Sequence, residues 1–240
     1  MNVNVRTIAE LPSSSGCILR IAHAADGHLS TLVEAGAVDA VVMAAEHGFS
    51  PLGFEDKYLT DALGFADGEI KELANGIRFE SRDVALVALR SRRPGSRLKG
   101  LVLAPGETSL SYERFAMPLY GRPSRDFYYN VAFEAQAYAA AHWGAENLGM
   151  SHLSASGRFH SDIAVCAAEA AMHCRQAQTN LRSLVFFGCC IDAKSLAPVG
   201  QLCSESSTHR PVPLTIQTTG HVDRIRLNFE PASSQVTAAP

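Results

Sequence analysis

The feature that most constrains the fold is an alternation between short, continuous apolar runs and longer stretches of helical period. The runs "CILRIAHA", "AVDAVVMAA", "VALVALRS", "LKGLVLAP", "NLGMSHL" and "SLVFFGCC" read as strands, and "PVPLTIQTT" and "HVDRIRLNF" follow them. Several are apolar without interruption, as strands covered on both faces are. Between them lie helical patterns, so the chain is expected to be α/β with a largely parallel sheet.

Two helices are well marked. After Gly121, "RPSRDFYYNVAFEAQAYAAAHWG" offers Ser124 as N-cap, Asp126 in the first turn, apolar residues at Phe127, Val131, Ala135 and Tyr138, and Gly144 as a stop. The second opens near Ser161 and sets Ile163, Cys166, Ala167, Ala170, Ala171 and Cys174 on one face, the spacing of a helix lying on a sheet. Phe127 to Cys190 therefore reads helix, strand, loop, helix, strand, the order of a right-handed crossover. From Gly53 to Gly76, Gly64, Gly68 and Gly76 break the pattern, and a short helix plus a mobile loop is expected. Ser13 to Ser15 and "PASSQVTAAP" have linker composition. The expectation is one domain over 16–230 with weakly ordered tails at 1–15 and 231–240.

With 240 residues, 47% of them hydrophobic, the chain can bury a sizeable core. Its 21 Lys+Arg against 24 Asp+Glu give a net charge of -3, which excludes a general attraction to nucleic acid or anionic membrane. "MNVNVRTIAELPSSSG" lacks the basic and apolar regions of a secretory signal, and no apolar run approaches membrane-spanning length. A soluble, cytoplasmic protein is expected. Cys17, Cys166, Cys174, Cys189, Cys190 and Cys203 form no paired C-x-x-C sets and read as buried thiols.

In an open α/β sheet, ligands bind outside the carboxyl ends of the strands. Leu153 to Ser161 falls at such a place. Ser154, Ala155, Ser156 and Gly157 are small enough to let backbone N–H groups approach a phosphate or carboxylate, and the following helix adds its positive end. Arg158 offers a charge-assisted bond and Phe159 a cover for a sugar or ring. The competing reading is an ordinary strand-to-helix turn, and Asp162 in the first helical turn opposes an anion. His152, His160 and Asp162 match no common zinc spacing, so no metal is expected. "SASGR" lacks the first glycine of a G-x-S-x-G elbow. Asp26 stands after the first of the apolar runs in "AHAADGHLS", where Asp26-Gly27 makes a turn and His23 and His28 lie near; its carboxylate suits an adenine amino group. Glu46 and His47 also follow a strand, a carboxylate and imidazole suited to general acid–base work or to a solvated strand end.

In this order the pieces resemble a macro domain. "VDAVVMAAEHGFSPLG", Val38 to Gly53, resembles the segment running from a buried strand through an N-A-A-N box into a glycine-rich loop. "RDFYYNVAFEAQAYAAAHWGAENLGMSHLSASGRFHSDIAVCAAEAA" resembles that family's later helix, strand, phosphate loop and helix, and "RSLVFFGC" its last parallel strand. The likeness spans about Cys17 to Ile191 and rests on pattern and order. It implies a three-layer α/β/α sandwich with a central mixed, mostly parallel sheet, and a small nucleotide-like ligand of the ADP-ribose class. By the resemblance, Ser156, Gly157, Arg158 and Phe159 form the phosphate loop, with Phe159 beside the far ribose. Asp26 matches the adenine-reading aspartate, and Cys190 to Asp192 lie near the adenine. No cofactor is implied.

The departures fall in the box itself. Met43 and Glu46 replace both asparagines, the second of which orients the far ribose in the family, and Glu55, Asp56 and Asp61 replace flexible glycines. At an effective dielectric of about 20, a carboxylate a few Å from a diphosphate costs on the order of kilocalories per mole. Three functions follow in order of preference. The first is a binding module using Ser154 to Phe159. The second is a hydrolase of a ribosyl or acyl linkage, with Glu46 as general base helped by His47 or His160. The third is a structural domain that has lost the site.

Overall fold

A computed structural model of the chain describes residues 4–12, 18–24, 28–45, 56–75, 83–105, 125–151, 160–176, 180–187 and 214–228. Its strands are β1 (Arg6–Pro12), β2 (Ile18–Ala24), β3 (Ala40–Ala45), β4 (Asp83–Arg90), β5 (Gly100–Pro105), β6 (Asn147–Met150), β7 (Ser183–Phe187), β8 (Leu214–Thr219) and β9 (Val222–Asn228). The described helices are α1 (Leu29–Glu34), α2 (Asp56–Leu63), α3 (Glu69–Asn75), α4 (Arg125–Trp143) and α5 (His160–Gln176). The strands form one sheet in the order β1-β2-β7-β6-β3-β5-β4-β9-β8.

The chain is therefore α/β, with a mixed sheet of nine strands among the described residues. Its middle, β2-β7-β6-β3-β5, is parallel throughout. The flanking pairs β1–β2, β4–β5, β4–β9 and β8–β9 are antiparallel, so the expected parallel character belongs to the centre alone. The reason is visible in the connections. The parallel block is joined by crossovers, whereas β8 and β9 meet through a tight turn at Gly220, whose φ of 61° suits glycine.

Successive residues of each central strand point to opposite faces. Leu19 and Ile21 of β2, Ala40 and Val42 of β3, Val102 and Ala104 of β5, and Leu184 and Phe186 of β7 join one buried cluster, covered by α4 and α5. Ala22 and Ala24, Val41 and Met43, Leu101 and Leu103, and Val185 and Phe187 join a second cluster with α1, α2 and α3. Burial on both faces explains why β3 and β5 are apolar without interruption. Moving along the sheet from β2 to β3 uses the face of α1, and moving back from β6 to β7 uses the face of α5. Opposite directions on opposite faces give the two crossovers the same hand.

The amino ends of three central strands are pinned by one carboxylate. Asp39, just before β3, accepts from the backbone N–H of Asn147 at 2.9 Å and of Glu146 at 3.1 Å, and pairs with Lys99 Nζ at 2.9 Å. That ties β3 to the starts of β6 and β5.

Three features were not anticipated, the first being the short helix α1 between β2 and β3. β1 lies inside 1–15, where a tail is expected, and pairs antiparallel with β2. The stretch Gly53–Gly76 holds two helices where one and a loop are expected. Gly64 (φ 76°) and Gly68 (φ 79°) turn the chain between α2 and α3. The predicted α4 and α5 are present, α4 ending at Trp143 before Gly144 at φ 62°. Among the described residues no helix is long and apolar enough to cross a membrane.

Candidate functional site

Because β2, β7, β6, β3 and β5 are parallel, their carboxyl ends share one edge of the sheet. Each segment singled out in the sequence leaves from that edge. Asp26 comes two residues after the end of β2, Glu46 and His47 directly follow β3, Ser154 to Phe159 lie between β6 and α5, and Cys190 follows β7. Asp26, Glu46, His47, Ser154, Ala155, Ser156, Gly157, Arg158, Phe159 and Cys190 themselves lie outside the described residues. His160 is the first residue of α5.

The connections leaving this edge diverge at one point. From β3 the chain passes to α2 and α3, on the face of the second cluster, and on to β4 on one side of β3. From β6, the immediate neighbour of β3, it passes to α5 on the opposite face and on to β7 on the other side. Two adjacent parallel strands whose connections leave to opposite sides and opposite faces define a topological switch point, where a crevice opens in sheets of this kind. The segments that begin at this switch are the ones holding Glu46 and His47 on one strand and Ser154 to Phe159 on the other.

The described residues beneath the switch are packed. Met43 is 6% exposed in the core with α1, α2 and α3, its neighbour across the ladder being Leu103. An apolar side chain there is a packing choice. Ser151, the residue after β6, is buried, and its N–H donates to Val42 O at 3.1 Å, so the β6–β3 contact persists to the edge of the loop. Gly149 in β6 has no room for a side chain: an added Cβ would stand 2.8 Å from Val38 Cγ1.

A second polar group went unnoticed in the sequence. Where α4 meets α5, the Tyr129 hydroxyl and His173 Nδ1 share a hydrogen bond, their rings edge to face at 5.6 Å. Gln136, fully buried, donates from Nε2 to Ala167 O at 3.0 Å, while its Oε1 has no partner among the described residues. Glu134 is only 6% exposed, and burial pushes its carboxyl up to about 7. Burial likewise raises the Cys174 thiol and the Tyr129 hydroxyl, and lowers His173. The seam thus favours the neutral forms of Glu134, Tyr129, Cys174 and His173. The signal was present in the sequence: Glu134 follows Val131 by three and precedes Tyr138 by four, which puts it on the apolar stripe.

Of the six cysteines, Cys166 and Cys174 are described and both are buried thiols, as expected. Among the described residues no group of three His, Cys, Asp or Glu side chains stands close enough to hold a metal ion. In comparison with known proteins, no protein-family model matches the chain and no curated protein does.

Proposed function

We propose that the chain is a divergent macro-like domain, a three-layer α/β/α sandwich that holds ADP-ribose or a related nucleotide-derived ligand in the cytoplasm. The observation that carries this reading is the switch point between β3 and β6. General rules of open sheets put a ligand there, and in the sequence β6 is followed by the Ser/Gly segment Ser154 to Gly157 and then by Arg158 and Phe159. Helices on both faces of the sheet support the layered architecture. Backbone N–H groups of the small residues cradle the diphosphate, Arg158 neutralises part of its charge and Phe159 covers a ribose. Asp26, after β2, reads the adenine, with Cys190 near it.

The test is isothermal titration with ADP-ribose. Micromolar binding is expected, and Gly157→Val is expected to abolish it while leaving the melting temperature nearly unchanged. Undiminished affinity in that variant would move the site elsewhere. No heat with ADP-ribose, NAD or AMP would favour a structural or interaction domain instead.

A second reading is favoured by one fact: Glu46 is the first residue after β3, at the same switch. There its carboxylate acts as general base on water attacking a ribosyl or acyl linkage, with His47 or His160 assisting. Glu46→Gln then removes turnover and keeps binding. If the carboxylate only repels the diphosphate, Glu46→Asn strengthens binding.

A further inference from the structure

The opposite edge of the sheet, where β2, β6 and β7 begin, carries a cleft of ≈ 490 Å³. Sites for small organic molecules span roughly 300–1,000 Å³. Its apolar lining belongs to the face of α1: Ala22 and Val185 are buried there, and Val5 and Ala37 pack on the same cluster. Ile18, also in the lining, is 54% exposed, the most exposed of the large hydrophobic side chains described.

The polar groups of the cleft are mostly donors. Arg20 N donates to Arg182 O at 2.8 Å, so the two arginines enter the cleft from adjacent stretches of backbone. Arg20 Nε lies 3.5 Å from Glu10 and Arg182 Nε 3.1 Å from Glu146. The two arginine side chains are 58% and 68% exposed. Pairs this exposed are held weakly and exchange for another anion at little cost. Ser183 Oγ donates to Asn147 Oδ1 at 2.8 Å, and that leaves the Asn147 amide N–H groups without a partner among the described residues. Among the described lining residues Glu10 is the one acid, against two guanidinium groups, and Glu146 reaches Arg182 from outside the lining.

We propose that this cleft binds a small aryl carboxylate. The carboxylate accepts from Arg20 and Arg182, with the Asn147 amide within the same site, and the ring covers Ile18, Val5 and Val185. One side of the cleft is apolar and the other rich in donors, a division that fits a flat apolar body with one anionic end. The site is independent of the carboxyl-edge crevice.

The probe is 2-naphthoate, with the neutral 2-naphthamide as its isosteric control, followed by amide chemical shifts of the full chain. Expected are saturable shifts at Ala37, Asn147, Ser183 and Val185, and binding of the amide weaker by about tenfold or more. Arg182→Gln alone should weaken naphthoate binding, Arg20→Gln with Arg182→Gln should weaken it further, by about tenfold or more, and both should leave the melting temperature unchanged. ADP-ribose titration of the same variants should match the parent chain. The proposal is overturned by the absence of saturable shifts at millimolar naphthoate, by equal binding of acid and amide, or by undiminished binding in the double variant. If the double variant unfolds, the acid-to-amide ratio on the parent chain and the single variant still decide the matter.

Discussion

The two faces of the sheet solve the same packing problem with different materials. One is covered by α4 and α5, 19 and 17 residues long, which meet the strands mainly through small side chains: Ala132, Ala135, Ala139, Ala167, Ala170 and Ala171. The other is covered by α1, α2 and α3, of 6, 8 and 7 residues, which bring Leu29, Leu32, Leu59, Leu63 and Ile70. Isolated helices shorter than about 12–15 residues are marginal in water, so the short helices persist only through what they bury. The long pair needs less from each contact. Its alanines bring backbones close, and the seam between the helices can shelter Glu134, Gln136 and His173. Volume holds one face and close approach holds the other.

Truncation tests the leucine face most severely. Leu63→Ala, at a fully buried position that closes α2, is expected to cost about 2–5 kcal/mol by urea denaturation. Enlargement tests the alanine face: Ala171→Leu is expected to cost roughly 1–3 kcal/mol, from overpacking with no lost contact. If Ala171→Leu proves harmless, α5 does not lie as close as its small residues require, and the contrast between the faces collapses.

The polar seam gives a third test, in pH. Glu134 has its pKa raised from 4.5 to about 7 by burial, so its protonated form is favoured in the fold. Its contribution is complete below pH 4.5, is lost as pH rises toward 7 and stays lost above. Glu134→Gln should therefore match the parent chain near pH 4 and exceed it at pH 8, by roughly 1–3 kcal/mol. His173, lowered by burial, acts in the other sense: its contribution is present above its ordinary value and lost on acidification. Glu169 beside it partly offsets this. The difference between parent and Glu134→Gln isolates the carboxylate, and a flat difference across this range would mean the seam is wetter than its burial indicates.

The smallest effect concerns the clasp on the leucine face. Arg92 makes two bonds to Glu69, 2.9 Å and 2.7 Å, and stacks 4.0 Å over the Phe65 ring. Glu69 also accepts from Ala66 N–H at the start of α3, and the guanidinium beside it lowers its pKa. Arg92→Lys keeps the charge and loses the fork, and should cost less than about 1 kcal/mol. A larger loss would show that α3 leans on this clasp more than on Ile70.

What the sequence disclosed follows from the same physics. Central strands such as "AVVMAA" and "GLVLAP" were legible because burial on both faces leaves no polar position to confuse the pattern. β1, "RTIAELP", was not: its mixed composition becomes a strand because the edge of β2 needs a partner, which is a tertiary fact. α1 was hidden by its shortness, and α2 and α3 by glycines read as breaks in one helix when they separate two. Of the site, chain order alone was legible. Asp26, Glu46 and Ser154 could be assigned to strand ends, but the adjacency of β3 and β6 could not, since about a hundred residues separate them and only the strand order brings them together. The seam was missed because the stripe of Val131, Ala135 and Tyr138 was read for its apolar members alone, with Glu134 among them passed over, and because Gln136 lies off that stripe until the helix's second neighbour is known.

The strand order also sets a schedule for synthesis. β2 pairs with β7, Arg20 facing Ser183, and β3 pairs with β6, Ala40 facing Leu148. A ribosome adds roughly 5–20 residues per second, so β2 waits on the order of ten to thirty seconds for its parallel neighbour. During that wait β1 is the only described strand ahead of it that can occupy one of its edges. The early hairpin of β1 and β2 shields one side of an apolar strand whose other side stays open until most of the chain has been made, so nascent chains stalled before Ser183 should be the ones that most engage chaperones.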